Sequence, residues 1–212
     1  HHCYDIYEHT LIDVESIDPE PTLRFAMLLH DCGKPAVKKF NENYMITTDR
    51  LNLKLASMED APFFLELYNT PTFIQFIGDK NLRSLEDARS YVQNRFLPQI
   101  ERLGYGNYLI IRKEDGAKIG SVGIFEREGL DVQDIGFSFL EEFQGKGYGY
   151  EAASKLLETA FTDFGCSKIS AITSKENIAS QSLIQKLGLK YLKTVQLPDD
   201  PEELLYYEIE KP

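Results

Sequence analysis

The stretch Phe143-Gln-Gly-Lys-Gly-Tyr-Gly-Tyr150 constrains what this chain can fold into more than any other. Its glycines fall at alternate positions, 145, 147 and 149. An alternating run, Asp134–Leu140, precedes it, and a helical stripe of Ala153, Leu156, Leu157, Ala160, Phe161 and Phe164 follows. A strand therefore feeds a helix through a turn whose backbone can bend tightly and aim N–H groups at one point. The helix adds the positive end of its dipole there. Such a turn is either a plain tight connection or a cradle for a pyrophosphate, with Lys146 adding charge at the rim. The glycine spacing differs from the Gly-x-Gly-x-x-Gly of dinucleotide-binding turns, and a phosphate-binding loop needs Gly-Lys-Ser/Thr, whereas Gly147 and then Tyr148 follow Lys146 here.

The rest of the chain supplies the frame for that turn. From Met45 onward Ile46-Thr-Thr-Asp-Arg-Leu-Asn-Leu-Lys-Leu55 alternates as one strand should. Ser57-Met-Glu-Asp60 and Ser84-Leu-Glu-Asp87 read as capping-box starts of two helices, the second closed by Gly104. Strands are expected at Tyr108–Arg112 and Lys118–Phe125, hinged by Asp115-Gly116, and at Asp134–Leu140. After the glycine turn come a helix through Phe164, a strand Lys168–Thr173, a short helix Ile178–Leu187, and strands near Tyr191–Gln196 and Leu204–Ile209. The order is β-α-α-β-β-β-α-β-α-β-β, an α/β arrangement with a mixed sheet of about seven strands.

Composition narrows the function. A net charge of −11 repels phosphate backbones, which disfavours nucleic acid. It suits a cationic acceptor such as an amine, or serves solubility alone. No run approaches the ~18 apolar residues of a membrane span, and the start shows no signal-peptide pattern, so neither membrane nor secretion is expected. Cys3, Cys32 and Cys166 form no CxxC pair, which fits a reducing cytoplasm. All four histidines, His1, His2, His9 and His30, lie within the first 30 residues, so chemistry in the longer part must proceed without imidazole.

Two motifs in this order resemble the GNAT superfamily of acetyltransferases. Gln144-Gly-Lys-Gly-Tyr-Gly149 is similar to its Gln/Arg-x-x-Gly-x-Gly/Ala loop, and Asn177-Ile-Ala-Ser180-Gln-Ser-Leu-Ile-Gln-Lys-Leu-Gly-Leu189 to the second half of the same site. Thr48-Asp-Arg-Leu-Asn-Leu53 and Asp134-Ile-Gly-Phe137 resemble the RimJ/RimL-like branch, which acetylates protein N-terminal amines and small amines. The resemblance covers about residues 45–210. It implies a GNAT fold, splayed centrally and flanked by about four helices, with acetyl-CoA as cosubstrate and no metal. The pantetheine arm would lie between Asp134–Leu140 and Lys168–Thr173, pairing with backbone near Phe137 and Phe139. The pyrophosphate would rest on Gln144, Gly145, Lys146, Gly147, Tyr148 and Gly149, with Asn177 and Ser180 on the far side. The acceptor would be a small amine or a protein N-terminus, attacking directly in a ternary complex, and the protein a monomer or homodimer.

For the base, the resemblance points first to Asp134 acting through water and second to Glu141. A solvated strand-end acid or a substrate-binding charge is the alternative for Asp134. Many GNAT enzymes place a Tyr seven residues after the Asn as the acid for the thiolate; Ile184 stands there. Ser180 inherits that role, with helix capping as its alternative. A GNAT-fold module that binds acyl-CoA without transfer is the second reading.

Residues 1–43 form a separate segment, expected as two helices broken by Pro19 and Pro21. His9 and His30-Asp31 resemble the start of the HD domains attached to tRNA nucleotidyltransferases, which implies a metal-dependent phosphohydrolase as a third reading. The later HD helices are absent, because the next strand begins at Met45. A truncated, metal-free helical segment before a domain at 44–212 is therefore expected.

Overall fold

Residues 45–198 and 202–212 are described by the computed structural model. The two helices expected in residues 1–43, with His9, His30 and Asp31, lie outside them. The strands are β1 (Met45–Thr47), β2 (Leu51–Leu55), β3 (Asn107–Arg112), β4 (Lys118–Phe125), β5 (Asp134–Phe139), β6 (Lys168–Thr173), β7 (Lys190–Gln196) and β8 (Glu203–Glu210). They form one sheet in the order β1-β2-β3-β4-β5-β6-β8-β7. All neighbours are antiparallel except β5 and β6, which run parallel.

The sheet has eight strands where the sequence suggested about seven. The run from Met45 to Leu55 reverses at Thr48–Arg50, where Thr48 N–H bonds to Leu51 O at 2.9 Å and Leu51 N–H bonds to Thr48 Oγ1 at 3.0 Å. Alternation cannot reveal this reversal. Ile46 and Leu53 become register partners on one face, so the apolar phase is unbroken across the turn.

The helices are α1 (Ala61–Tyr68), α2 (Pro71–Ile77), α3 (Leu85–Tyr91), α4 (Leu97–Leu103), α5 (Tyr148–Thr162) and α6 (Ile178–Lys186). Ser57 and Asp60 form the expected capping box, which here opens a 3-10 turn ahead of α1. α2 begins at Pro71 with Thr70 as its cap, its Oγ1 accepting from Phe73 N–H at 3.4 Å. The single helix expected after Ser84 is α3 and α4 joined through a π stretch, Val92–Phe96. Gly104 ends it in the left-handed region, at φ +78°.

Two cores lie on opposite faces. Ala152, Ala153, Leu156 and Ala160 of α5 and Ile184 of α6 pack on Leu53, Ile110, Val122, Ile135, Ile169 and Tyr207. On the other face Phe64, Leu67, Tyr68, Phe73, Val92 and Phe96 pack with Leu109. That second cluster draws no residue from β6, β7 or β8. Among the described residues, α1–α4 thus cover only the first half of this face.

Candidate active site

β5 and β6 share a single register pair, Asp134↔Ser170, and then part. The hydrogen-bond alternation shows which groups the parting exposes. Leu140 N–H bonds to Ile119 O on β4, while Gln133 O accepts from Ser170 N–H on β6. By that parity Ile135, Phe137 and Phe139 turn their backbone groups toward the β6 side, which has no partner strand beyond the first pair. Gln144 Nε2 occupies Phe139 O at 3.0 Å. Across the gap, the buried Ser174 Oγ just beyond β6 has no hydrogen-bond partner.

The glycine turn closes the end of this gap. Gly145 and Gly147 take φ of +70° and +82°, values that favour glycine. Gly147 is the N-cap of α5, and no side chain caps that helix. Its leading N–H groups are therefore available to an external acceptor, beside the helix dipole. α6 differs, because Asn177 Oδ1 accepts Ser180 N–H at 3.0 Å. Gly149 lets the two helices approach: a Cβ there would lie 3.1 Å from Leu183 Cδ2. These features fit an extended, anion-bearing group such as the pantetheine and pyrophosphate of coenzyme A.

Arg50 braces the turn from β2's leading end. Its Nη1 donates to Lys146 O at 3.2 Å, and its guanidinium lies 4.5 Å from the Tyr148 ring centroid. Glu151, in the first turn of α5, holds Arg50 in place. Glu151 Oε1 accepts from Thr48 Oγ1 at 2.6 Å and from Arg50 N–H at 2.8 Å, and Oε2 accepts from Arg50 Nε at 2.6 Å.

The face away from α5 carries the polar chemistry. Register partners share a face, so Asp134, Ser170 and Glu208 form a row across β5, β6 and β8 where the strands part. Arg127 holds Asp134 in a fork, Nε to Oδ1 and Nη2 to Oδ2, each at 3.0 Å. Burial nevertheless pushes the Asp134 carboxyl up, against the opposing Arg127 charge. Glu208 Oε2 accepts the Tyr206 phenol at 2.8 Å, and Oε1 accepts Lys168 Nζ at 3.3 Å. Tyr206 is pushed up to about 12 by burial and by Glu208. Further along, Ser121 and Ser138 Oγ lie 3.2 Å apart, and Asn107 Nδ2 donates to the buried Tyr68 hydroxyl at 3.4 Å.

The acetyltransferase (GNAT) domain family model matches residues 50–190. The chain belongs to the GNAT acetyltransferase family. Among relatives, the Bacillus subtilis protein YkkB is 29% identical over 166 residues, 76% of this chain and 94% of that one. N-acetyltransferase YnaD of the same organism is 26% identical, covering 68% and 82%. A RimL ribosomal L7/L12 alpha-N-protein acetyltransferase solved with coenzyme A superposes with a TM-score of 0.68 at 20% identity, covering 79% of this chain and 98% of that one. The GNAT chain described here is an acetyl-CoA-dependent N-acetyltransferase.

Within this GNAT fold the sequence-derived residues fall in two groups. Phe137, Phe139, Gln144, Gly145, Lys146, Gly147, Tyr148, Gly149, Asn177 and Ser180 gather around the gap and its end. Asp134 sits at the closed end of the gap on the opposite face, and Glu141 lies apart on an exposed turn, accepting from Thr72 Oγ1 at 2.9 Å. Ile184 is 1% exposed in the core, so no phenol approaches from that position. Arg50, Glu151, Arg127, Tyr206 and Glu208 were not singled out. Their partnerships span long sequence distances or depend on strand register, and only the Thr48-Asp-Arg motif hinted at Arg50.

Proposed function

We propose that the chain moves the acetyl group of acetyl-CoA to a primary amine, a protein N-terminus or a small amine, by direct attack in a ternary complex. The parting of β5 from β6 beside an uncapped helix N-terminus carries this reading. When bound, acetyl-CoA supplies the thioester that the amine attacks. The backbone edge at Phe137 and Phe139 is suited to receive the arm as an added strand would be. Gln144 to Gly149 offer N–H groups to the pyrophosphate, and Ser174 Oγ offers an unspent hydrogen bond.

The acceptor belongs on the other face, in the part that α1–α4 leave uncovered. Two carboxylates there suit a cation, and no imidazole lies among the described residues. Direct transfer is supported by the state of Cys166. Its thiol is buried, donates to Gln133 Oε1 at 3.1 Å, and is pushed up by burial, all of which oppose a covalent acetyl intermediate. Ser180 is proposed as proton donor to the leaving thiolate. Its N–H is held by the Asn177 cap at the start of α6.

Initial rates with acetyl-CoA and each of N-terminal peptides, spermidine and kanamycin test the reading. Intersecting double-reciprocal lines with one of these acceptors are expected. Parallel lines would indicate an acetyl-enzyme, and coenzyme A binding without release from acetyl-CoA would favour a binding module.

A further inference from the structure

The two carboxylates of the Asp134–Ser170–Glu208 row are not equivalent. Asp134 is 1% exposed and both its oxygens lie in the Arg127 fork. A group so held has little freedom to take a proton from an incoming amine and pass it to water. Glu208 is placed differently. Its side chain is 15% exposed, and it stands on β8, which adds no residue to the apolar cluster under α1–α4. It is anchored at one oxygen by the Tyr206 phenol, while its other contact, Lys168, is 44% exposed and shared with Glu210 at 2.8 Å.

The space for an acceptor lies next to it. A cavity of about 580 Å³ is lined by Arg127 and Lys168, the cationic partners of the two carboxylates, together with Glu126, Glu128, Asp131 and Gln133. This cavity adjoins the closed end of the gap, where β5 and β6 make their only pair. Glu208 borders this cavity through Lys168, whose Nζ lies 3.3 Å from Glu208 Oε1.

From this placement we propose that Glu208, backed by Tyr206, is the catalytic residue that receives the acceptor ammonium and takes its proton. The assignment rests on the amine-acetylation reading above. The ammonium gives one proton to the Glu208 carboxylate, directly or through one water. The freed amine nitrogen then forms its bond to the thioester carbonyl carbon. The carbon–sulfur bond breaks, Ser180 gives its hydroxyl proton to the departing thiolate and regains one from the second N–H, giving amide and free thiol. Glu208 returns its proton to solvent through its exposed edge. Tyr206 acts as a positioning residue: its donated hydrogen bond fixes one carboxylate oxygen, and the substrate shares the other with the half-exposed Lys168.

Several charged groups face Glu208. Tyr206 lies on its own strand, Lys168 on β6 and Lys190 opposite it on β7. Asp134, already neutralised by Arg127, lies one strand further. Lys193 sits 5.3 Å from the Tyr206 ring centroid. A carboxylate must be ionised to act as the base, so the kcat/KM profile should carry an acid limb.

The test uses the full chain with the best acceptor among N-terminal peptides, spermidine and kanamycin. Glu208→Gln is nearly isosteric, and coenzyme A affinity by calorimetry reports that the variant is folded. The expected result is a loss of kcat of ~10²–10⁴-fold, unchanged coenzyme A affinity, and loss of the acid limb of the kcat/KM profile. Tyr206→Phe should lower kcat by less than Glu208→Gln does and shift that limb, a shift that a structural role alone does not produce. A Glu208→Gln enzyme with wild-type kcat and acid limb overturns the assignment. So does Asp134→Asn if it alone abolishes the limb. A wild-type chain that acetylates none of the amines overturns the transfer reading, and this assignment with it.

Discussion

Glu151→Ala tests whether the glycine turn is held from outside as described. The substitution removes the acceptor for Thr48 Oγ1, Arg50 N–H and Arg50 Nε. The Arg50 side chain is 48% exposed, so its ion pair contributes only about 0.2–1 kcal/mol. The other two bonds contribute about 1 kcal/mol each. Alanine returns a few tenths through helix propensity. The net loss is about 2 kcal/mol, and at about 2–4 °C per kcal/mol the thermal midpoint should fall by about 4–8 °C. The pH dependence carries a sign. Burial raises the Glu151 carboxyl, but the Thr48 hydroxyl, Arg50 N–H and Arg50 guanidinium outweigh it, so the folded value lies below the unfolded one. Its stabilisation is therefore complete above the unfolded carboxylate value and vanishes as pH falls through the lowered one. Melting curves of both chains from neutral pH into acid should show a gap that closes. An unchanged midpoint, or a gap undiminished in acid, would refute the brace. Coenzyme A affinity should fall with the brace, because Arg50 no longer holds Lys146 O.

Three further outcomes follow from the site. Gly147→Val places a branched residue at φ +82° in the α5 cap, so coenzyme A affinity by calorimetry should drop at least about tenfold while the sheet still melts cooperatively. Asp134→Asn leaves Arg127 without its carboxylate; urea unfolding should show a loss of about 2–3 kcal/mol, less than a fully buried pair because Arg127 is 38% exposed. Kinetics of the same variant separate its roles, since a general base loses kcat by ~10²–10⁴-fold and a substrate charge contact loses only KM. A chain of residues 45–212 should fold and acetylate like the full chain, and elemental analysis of the full chain should find metal well below stoichiometric.

What could be read from the residues was local. The glycine turn, the strand before it and the Asn177 cap announce themselves within a few positions, because positive φ, alternation and capping are short-range properties. The resemblance then organised them into one cleft. The reversal at Thr48–Arg50 escaped because it keeps the apolar phase. The π stretch at Val92–Phe96 escaped because the helix continues through it and still buries Ala88, Val92 and Phe96. The row of Asp134, Ser170 and Glu208 escaped for a different reason. It exists only through strand register, and β8 reaches β6 by crossing past β7 in chain order. Arg127 falls between two expected strands, and only the fold shows that it forks onto Asp134. Each missed residue belongs to a pairing that no window along the chain contains.

Amide hydrogen exchange on the full chain, with and without coenzyme A, tests the central claim most directly. The account predicts slowed exchange at Phe137, Phe139 and Gly145 to Gly149 on binding, with the β1–β2 pair unaffected. Protection confined to other segments, while calorimetry still reports binding, would contradict the placement of the cofactor between β5 and β6.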